Sequence, residues 1–246
     1  MQQQSCGLWL GIFPLLYFFN HIFLRVSFFH ITFATKNKIK GNMVNYNAHS
    51  CIVPAVISNR CGVFIQDIKG KLWNTEDWDS SVEPNAIAVI SKEAKFLIAL
   101  SEPKLGRAVS SSHTDPLENC MTAIASSATA LSDHNGAWNT ANILKMQPSA
   151  TYAAGWCNAF VFPDGKTKGY LPSLGQLYLA YQNKAAVDAA LIKCGGAVMT
   201  ENHYWSSTFW GASSNRRYCW LLNWSDGYVG HYFSYRSNHV RPFADF

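Results

Sequence analysis

Residues 204–246 limit what this chain can fold into more than any other part of the sequence. They include 13 aromatic residues and no Lys, Glu, Gln, Met or Ile. Exposed aromatic residues at this density promote aggregation unless a partner covers them. Antibody-like binding surfaces also favour Tyr, Ser, Asn, Gly, Trp and Arg, because rigid rings give contact area at little entropy cost. The stretch is therefore either a binding surface or a β-rich tail whose composition is biased by chance.

The genetic code adds a second argument for a varied surface. If only the adenines of the Asn codon AAY are mutated, the products never include Lys, Glu, Gln, Met or Trp. Residues 213–218 and 230–239 fall entirely inside the accessible set. The Trp codon TGG contains no adenine, so Trp205, Trp220 and Trp224 are predicted to form an unvaried scaffold under the binding face.

A hairpin is predicted around Gly227, because the sequence Ser-Asp-Gly-Tyr that contains it is typical of a tight turn. The turn would join residues 220–224 to a strand that begins at Tyr228. Trp220 and Leu221 are then expected to point into the core on opposite sides of the sheet. The residues from Gly230 onward are expected to point into solvent.

Composition and charge exclude several classes of protein. The chain has 246 residues, of which 48% are hydrophobic and 14% charged, so it is not a disordered chain, a collagen-like fibre or a coiled coil. The formal net charge is +5, but residues 1–42 carry four basic residues and no acidic ones. From Met43 onward 16 basic residues face 15 acidic ones. This near balance argues against nucleic acid as a partner.

The sequence predicts neither catalytic residues nor a cofactor or metal. Its seven cysteines are scattered without a C-x-x-C motif, which supports neither a zinc site nor a disulfide framework. They are expected to be small buried hydrophobic residues. His113, His134 and His203 lie apart without a nucleophile motif, so each is interpreted as a solvated loop or turn histidine.

The amino terminus allows three interpretations. Residues 7–24 are an 18-residue apolar run broken only by Asn20 and His21, near the lower length limit of a membrane helix. The positive charges follow the run, so an anchor would leave the body in the cytoplasm. Alternatively, translation begins at Met43, because Lys40-Gly41 back-translates to a purine-rich ribosome-binding site; the third option is an atypical signal. Residues 1–42 are therefore a separate segment, untranslated or an anchor, and the choice between virion and cell surface stays open.

Residues 43–109 are predicted to be a small β-rich unit of two hairpins. The alternating residues 62–67 and the returning residues 71–73 form the first hairpin. Residues 86–90 and 96–100 are two apolar runs joined by a polar segment, and they form the second. The turn-rich residues 110–116 follow and mark the domain boundary.

Residues 110–246 form the second predicted domain, which begins with helices. In this domain Ser173 is placed to cap a helix, with Gln176 completing a capping box. The apolar face of that helix includes Leu177, Leu179 and Ala180. The other predicted helices are residues 117–131, 139–146, 151–160 and 185–194, the last ended by Gly195 and Gly196.

Six motifs in this domain carry a resemblance to a known family. They are residues 133–140 (DHNGAWNT), 153–157 (AAGWC), 170–177 (YLPSLGQL), 204–208 (YWSST), 226–227 (DG) and 240–243 (VRPF). In this order they resemble the variable proteins of diversity-generating retroelements, which have a C-type-lectin-like domain of the formylglycine-generating-enzyme type. The match covers residues 133–246 well and the hairpin region loosely. It implies an α+β fold, C-type-lectin-like and preceded by the hairpin-rich unit.

The resemblance implies a binding surface on the carboxy-terminal strands and loops, with residues 204–241 diversified. Within it, Tyr228, Tyr232, Phe233 and Tyr235 are expected to act as aromatic anchors. Arg241 resembles the closing arginine of the fold and is expected to be structural. The predicted ligand-binding residues are Phe209, Trp210, Ser213, Asn215, Arg216, Arg217, Tyr218, Asn223, Ser225, Asp226, Tyr228, His231, Tyr232, Phe233, Ser234, Tyr235, Arg236, Ser237, Asn238 and His239.

The function that follows is non-enzymatic recognition of a protein or glycan on a target cell surface. A formylglycine-generating activity would need a pair of cysteines near the carboxy terminus, where only Cys219 stands. The resemblance also implies a reverse transcriptase as genetic partner and allows oligomeric display, in which several weak sites act together. The alternative is an invariant adhesin or a phage-tail or pilus-tip module with the same fold, whose aromatic tail packs against another subunit.

Overall fold

The computed structural model describes residues 60–111, 123–211 and 218–246. All of them belong to one compact unit, Ser50–Phe246. They form helices and antiparallel sheets, which confirms the predicted α+β class. Within these ranges, no helix is both long enough and apolar enough to cross a bilayer. The apolar residues 7–24 and the candidate start at Met43 lie outside the described residues.

The strands of the described ranges fall into two sheets. The first sheet has the order β2-β1-β3-β4-β8 and the second the order β5-β6-β7. The strands are β1 (Gly62–Asp67), β2 (Leu72–Trp73), β3 (Pro84–Ile90), β4 (Lys95–Ile98), β5 (His203–Trp210), β6 (Tyr218–Asn223), β7 (Val229–Phe233) and β8 (Phe243–Ala244). Both amino-terminal hairpins are confirmed, since β1 pairs with β2 and β3 with β4.

Along the described sequence, five helices come after β4 and before β5: α1 (Ser127–Leu131), α2 (Gly136–Met146), α3 (Ala153–Ala159), α4 (Leu174–Gln182) and α5 (Lys184–Lys193). The predicted capping box of α4 is present, and the Ser173 backbone N–H donates to Gln176 Oε1 at 3.0 Å. The helix predicted at 117–131 is shorter, and residues 112–122 lie outside the described ranges. Residues 123–126 are not helical; here the Ile124 backbone N–H donates to the Phe209 carbonyl at 2.9 Å.

The two ranges predicted as separate domains share one sheet and one core. Strand β8 pairs with β4, and Phe96 stacks on Phe243 with ring centroids 4.9 Å apart. Ile65 and Ile87 of the first sheet belong to the same buried cluster as Leu174 of α4. A boundary at residue 110 therefore does not separate two structural units among the described residues.

The residues just before the predicted boundary form a strap beside the end of the second sheet. Arg107 and Asn238 exchange two backbone hydrogen bonds, and the Val109 N–H donates to the Ser234 carbonyl at 2.7 Å. The hydroxyls of Ser110 and Ser234 lie 2.6 Å apart and are buried. The strap, residues 107–110, thus fixes the loop that follows β7.

A fully buried guanidinium, that of Arg241, joins the two sheets. Its side chain donates to the Ala197 carbonyl and lies 3.5 Å from a carboxylate oxygen of Glu102. Glu102 also accepts hydrogen bonds from the Thr200 and Tyr204 hydroxyls, both at 2.6 Å. Burial, together with the Glu102 charge, raises the pKa of the Tyr204 phenol, so it stays a neutral donor. The structural role expected for Arg241 agrees with these contacts.

Glu102→Gln is expected to lower the free energy of unfolding by about 3 kcal/mol, because it leaves the buried Arg241 charge without its counter-ion. Urea titration measures this loss as a lower midpoint with an unchanged slope. Glu93→Gln, at an exposed position in the β3–β4 turn, is the matched control and should leave the midpoint unchanged. Equal midpoints for the two variants would contradict a stabilising role for the pair.

Candidate functional site

Sheet β5-β6-β7 has two differently occupied faces. Trp220 pairs with His231, and Leu221 pairs with Gly230. Trp220 packs in one buried cluster and Leu221 in another, so the predicted opposite orientation of these neighbours is confirmed. The face of Trp220 is called the ladder face, and the face of Leu221 the pocket face.

Three of the four tryptophans of the stretch lie beneath the surface, and Trp210 is half-buried. Trp205 and Trp224 are fully buried, and Trp220 is 4% exposed. The Trp205 indole N–H donates to the Arg236 carbonyl at 3.1 Å, and the Trp220 indole N–H donates to the Ile124 carbonyl at 2.8 Å. These bonds tie the loops on both sides of the sheet to its core. The predicted position of the three tryptophans under the face is confirmed.

The β6–β7 hairpin has the turn that the sequence predicts. Gly227 has φ +75°, a left-handed conformation, and a Cβ there would lie 2.2 Å from the Tyr181 ring. Asn223 Oδ1 accepts from the Ser225 N–H, and Asp226 Oδ1 accepts from the Tyr228 N–H at 2.9 Å. Asn223 and Asp226 therefore shape the turn with one oxygen each.

On the ladder face, aromatic rings run from strand to strand. The rings of Trp210 and His231 are stacked at 4.1 Å, and those of Tyr218 and Phe233 at 4.6 Å. Partial desolvation by the neighbouring rings lowers the pKa of His231, which favours the uncharged imidazole in the stack. The Tyr235 ring lies 5.3 Å from that of Phe233 and extends the ladder past the end of β7.

On the pocket face lies a cavity of about 290 Å³, open to solvent. Two tyrosines border it, Tyr228 at 62% exposure and Tyr232 at 46%. The Tyr228 ring lies over Gly230, where a Cβ would come within 2.7 Å of it. The residues that line the cavity are His203, Leu221, Tyr228, Gly230, His231, Tyr232 and Asn238. A pocket with aromatic walls and a few polar groups is suited to binding a ligand.

Most of the predicted binding residues are accessible. The exposed ones are Ser225, Asp226, Tyr228, His231, Tyr232, Arg236 and Ser237. The half-buried ones are Trp210, Tyr218, Asn223, Phe233, Tyr235, Asn238 and His239. Four lie outside the described residues: Ser213, Asn215, Arg216 and Arg217. Four of the predicted residues, Tyr228, His231, Tyr232 and Asn238, meet at the pocket.

Two of the predicted binding residues are buried. Phe209 packs in the cluster under the pocket face, and Ser234 contacts the strap through Ser110. The expectation that the chain points into solvent from Gly230 onward holds for Tyr232 and Arg236 but is wrong for Gly230 and Ser234. Strand alternation and the strap turn these residues inward, and neither was visible in the local sequence.

Three residues that line the pocket, His203, Leu221 and Gly230, are not among the predicted binding residues. His203, interpreted as a loop histidine, is the first residue of β5 and is half-buried beside the cavity. Leu221, expected in the core, also reaches the cavity. The position of His203 two residues before Trp205 is the signal that could have found it. Residues two apart on a strand share a face, and Trp205 packs in the buried cluster of the pocket face.

Comparison with known proteins finds no family model, curated protein or solved structure that matches this chain. Across the described ranges, no group of three or more His, Cys, Asp or Glu side chains is placed to hold a metal ion. The function is therefore argued from the geometry of the site and from the sequence.

Gly227→Ala is expected to destabilise the protein by about 2–4 kcal/mol, through its left-handed backbone and the overlap with the Tyr181 ring. Thermal unfolding measures the loss. Gly70→Ala is the matched control: Gly70 has φ +85° but nothing within 4 Å of a Cβ, so it should show only the backbone part. An equal loss at both positions would contradict the packing contribution of Tyr181.

Proposed function

We propose that this chain is a non-enzymatic ligand-binding protein with a C-type-lectin-like fold, whose carboxy-terminal surface is diversified by adenine-directed mutagenesis. Its ligand is a protein or glycan on a target cell surface, and a reverse transcriptase is its genetic partner. The observation that carries the proposal is the pair of exposed tyrosines, Tyr228 and Tyr232, beside an open pocket. Large exposed rings at a pocket are typical anchors of a binding surface.

Exposure and codon accessibility agree at most of the site. His231, Tyr232 and Arg236, which adenine mutation can produce, are exposed, whereas Trp205 and Trp220, which it cannot, are buried. This division is what a varied surface on an unvaried scaffold requires. The buried Gly230 and Ser234 are also codon-accessible, and we expect them to vary less because they support the strand and the strap.

The chemistry of the surface favours a polar ligand with some apolar area. The Arg236 guanidinium lies 5.3 Å from the centroid of the Tyr235 ring, close enough for a cation–π contact that holds it in place. A guanidinium held in this way can bind a carboxylate or phosphate through two parallel hydrogen bonds. The tyrosines supply contact area and hydroxyl groups for the remainder of the ligand.

The architecture supports the proposed fold. The described residues are an α+β unit in which the carboxy-terminal strands β6 and β7 carry the accessible rings, as the resemblance implies. The motif residues are also connected in space. Asp133 accepts from Thr208 Oγ1 at 2.7 Å, and Ser173 Oγ donates to the Asp133 carbonyl at 2.6 Å.

Replacing Tyr232 and Tyr235 together by Ala is expected to abolish ligand binding without unfolding the protein, because Tyr232 is exposed and Tyr235 is only half-buried. Labelled protein applied to a panel of bacterial strains, read by flow cytometry, measures binding, and thermal unfolding checks the fold. Trp138→Ala removes an exposed ring on α2, away from the site, and should leave binding intact. Unchanged binding by the double variant would refute the position of the site.

Sequencing the DNA around the gene is expected to find a second, non-coding copy of the region for residues 204–241, beside a reverse transcriptase gene. The two copies should differ only where the non-coding copy has adenine, because the mutagenesis acts on adenine. Finding no such copy would leave a fixed binding surface and make an invariant adhesin or tail module the better explanation.

A further inference from the structure

The outer edge of strand β7 pairs with no other strand of the described residues. In sheet β5-β6-β7, β7 is a terminal strand, with β6 on one side. The Asn223 N–H donates to the Tyr228 carbonyl at 2.8 Å, so this opposed pair is a hydrogen-bonded one. Bonded and non-bonded pairs alternate along an antiparallel ladder. Tyr228, Gly230 and Tyr232 therefore direct their backbone groups towards β6, and Val229 and His231 direct theirs away from it.

These outward groups have no backbone partner within the described ranges. No backbone group from outside the sheet bonds to Val229 or His231 there, and His231 is exposed. The next outward carbonyl, that of Phe233, accepts from the Arg236 N–H at 2.9 Å and closes the edge with a turn. The open edge is thus short, with two N–H and two C=O groups.

The short edge carries no side chain that opposes pairing with another strand. Besides shortness, exposed edges in soluble proteins are commonly protected by Lys, Pro or inward charges. Residues 229–235 (VGHYFSY) contain no charged residue and no proline. The side chains of this edge therefore do not oppose pairing of its backbone groups with another strand.

We propose that this edge binds an extended segment of a target polypeptide as a fourth strand of the sheet; the inference rests on the proposed function and names the ligand class of that site. Only a peptide backbone offers N–H and C=O groups at the spacing of a strand. Side chains of the added strand would alternate between the two faces. One set would meet Tyr228 and Tyr232, and the other set His231 and the ladder.

A target peptide fits this edge better than a second copy of the chain. Backbone hydrogen bonds do not depend on which side chains a strand carries, so every diversified variant keeps them. Side-chain changes at residues 230–239 would then alter selectivity while the main-chain contribution stays. A self-paired interface would instead place each changed side chain against its own copy and lose its fit with each change.

The test compares His231→Pro with His231→Ala. Proline removes the outward N–H but is tolerated at an edge position whose N–H faces solvent, while alanine removes the ring and keeps the N–H. The probes are synthetic peptides isolated from a random linear dodecapeptide library on the unmodified protein. We expect His231→Pro to bind them about tenfold more weakly than His231→Ala, the loss typical of one hydrogen bond at its upper range. Equal affinities, or a library that yields no binder, would overturn the proposal.

Amide exchange and light scattering complete the test. Bound peptide should slow exchange at Val229 and His231, whereas Gly230 and Tyr232 should be slow already in the free protein. Unaltered exchange at Val229 and His231 would overturn the proposal, as would binding only to neutral glycans. A dimer that His231→Pro converts to a monomer would also overturn it, because the occupant would then be a second copy. If no non-coding repeat is found but the Pro and Ala variants differ, the proposed diversification fails and the peptide site stands.

Discussion

The buried charge of Arg241 is the constraint on which both sheets depend. The residues after it enter β8 and complete the first sheet, while His239, just before it, pairs with β5 of the second. A guanidinium in the core is costly unless an acidic partner is close. Glu102, which follows β4, meets that need and also holds the Tyr204 hydroxyl at the start of β5. Strand β5, which supports the site, is thus held at its start by the Glu102–Arg241 ion pair.

Beyond the Glu102–Arg241 ion pair, two features build the site. One is the alternation of side chains along the strands, and the other is a set of hydrogen bonds made where the regular strand pairing is interrupted. The register of β5 with β6 shifts between Trp205 and Phe209. Within this shift, Ser206 Oγ donates to the Trp220 carbonyl and Thr208 Oγ1 accepts from the Leu174 N–H. The first bond joins β5 to β6, and the second attaches the sheet to the first turn of α4. Among the described strands, β7 pairs on one side only, with β6.

Local patterns predicted local structure well. The strands β1 and β3, the capping box of α4 and the turn at Gly227 each depend on residues close in sequence, and each is present. The predicted boundary at 110 separates no two units, and local patterns could not reveal this, because the pairing of β4 with β8 joins residues nearly 150 apart in the chain. The same reason explains Ser234, whose burial depends on the distant Ser110, and His203, which reaches the pocket through its place on β5.

The contact between Tyr228 and Gly230 makes these two positions dependent on each other. The Tyr228 ring occupies the space that any larger residue at 230 would fill, so a side chain there must displace the ring. If position 230 varies, the most exposed anchor of the pocket moves with it, although codon 228 is unchanged. The number of distinct surfaces is then not the product of independent choices at each position. A single substitution at 230 would exchange one binding shape for another.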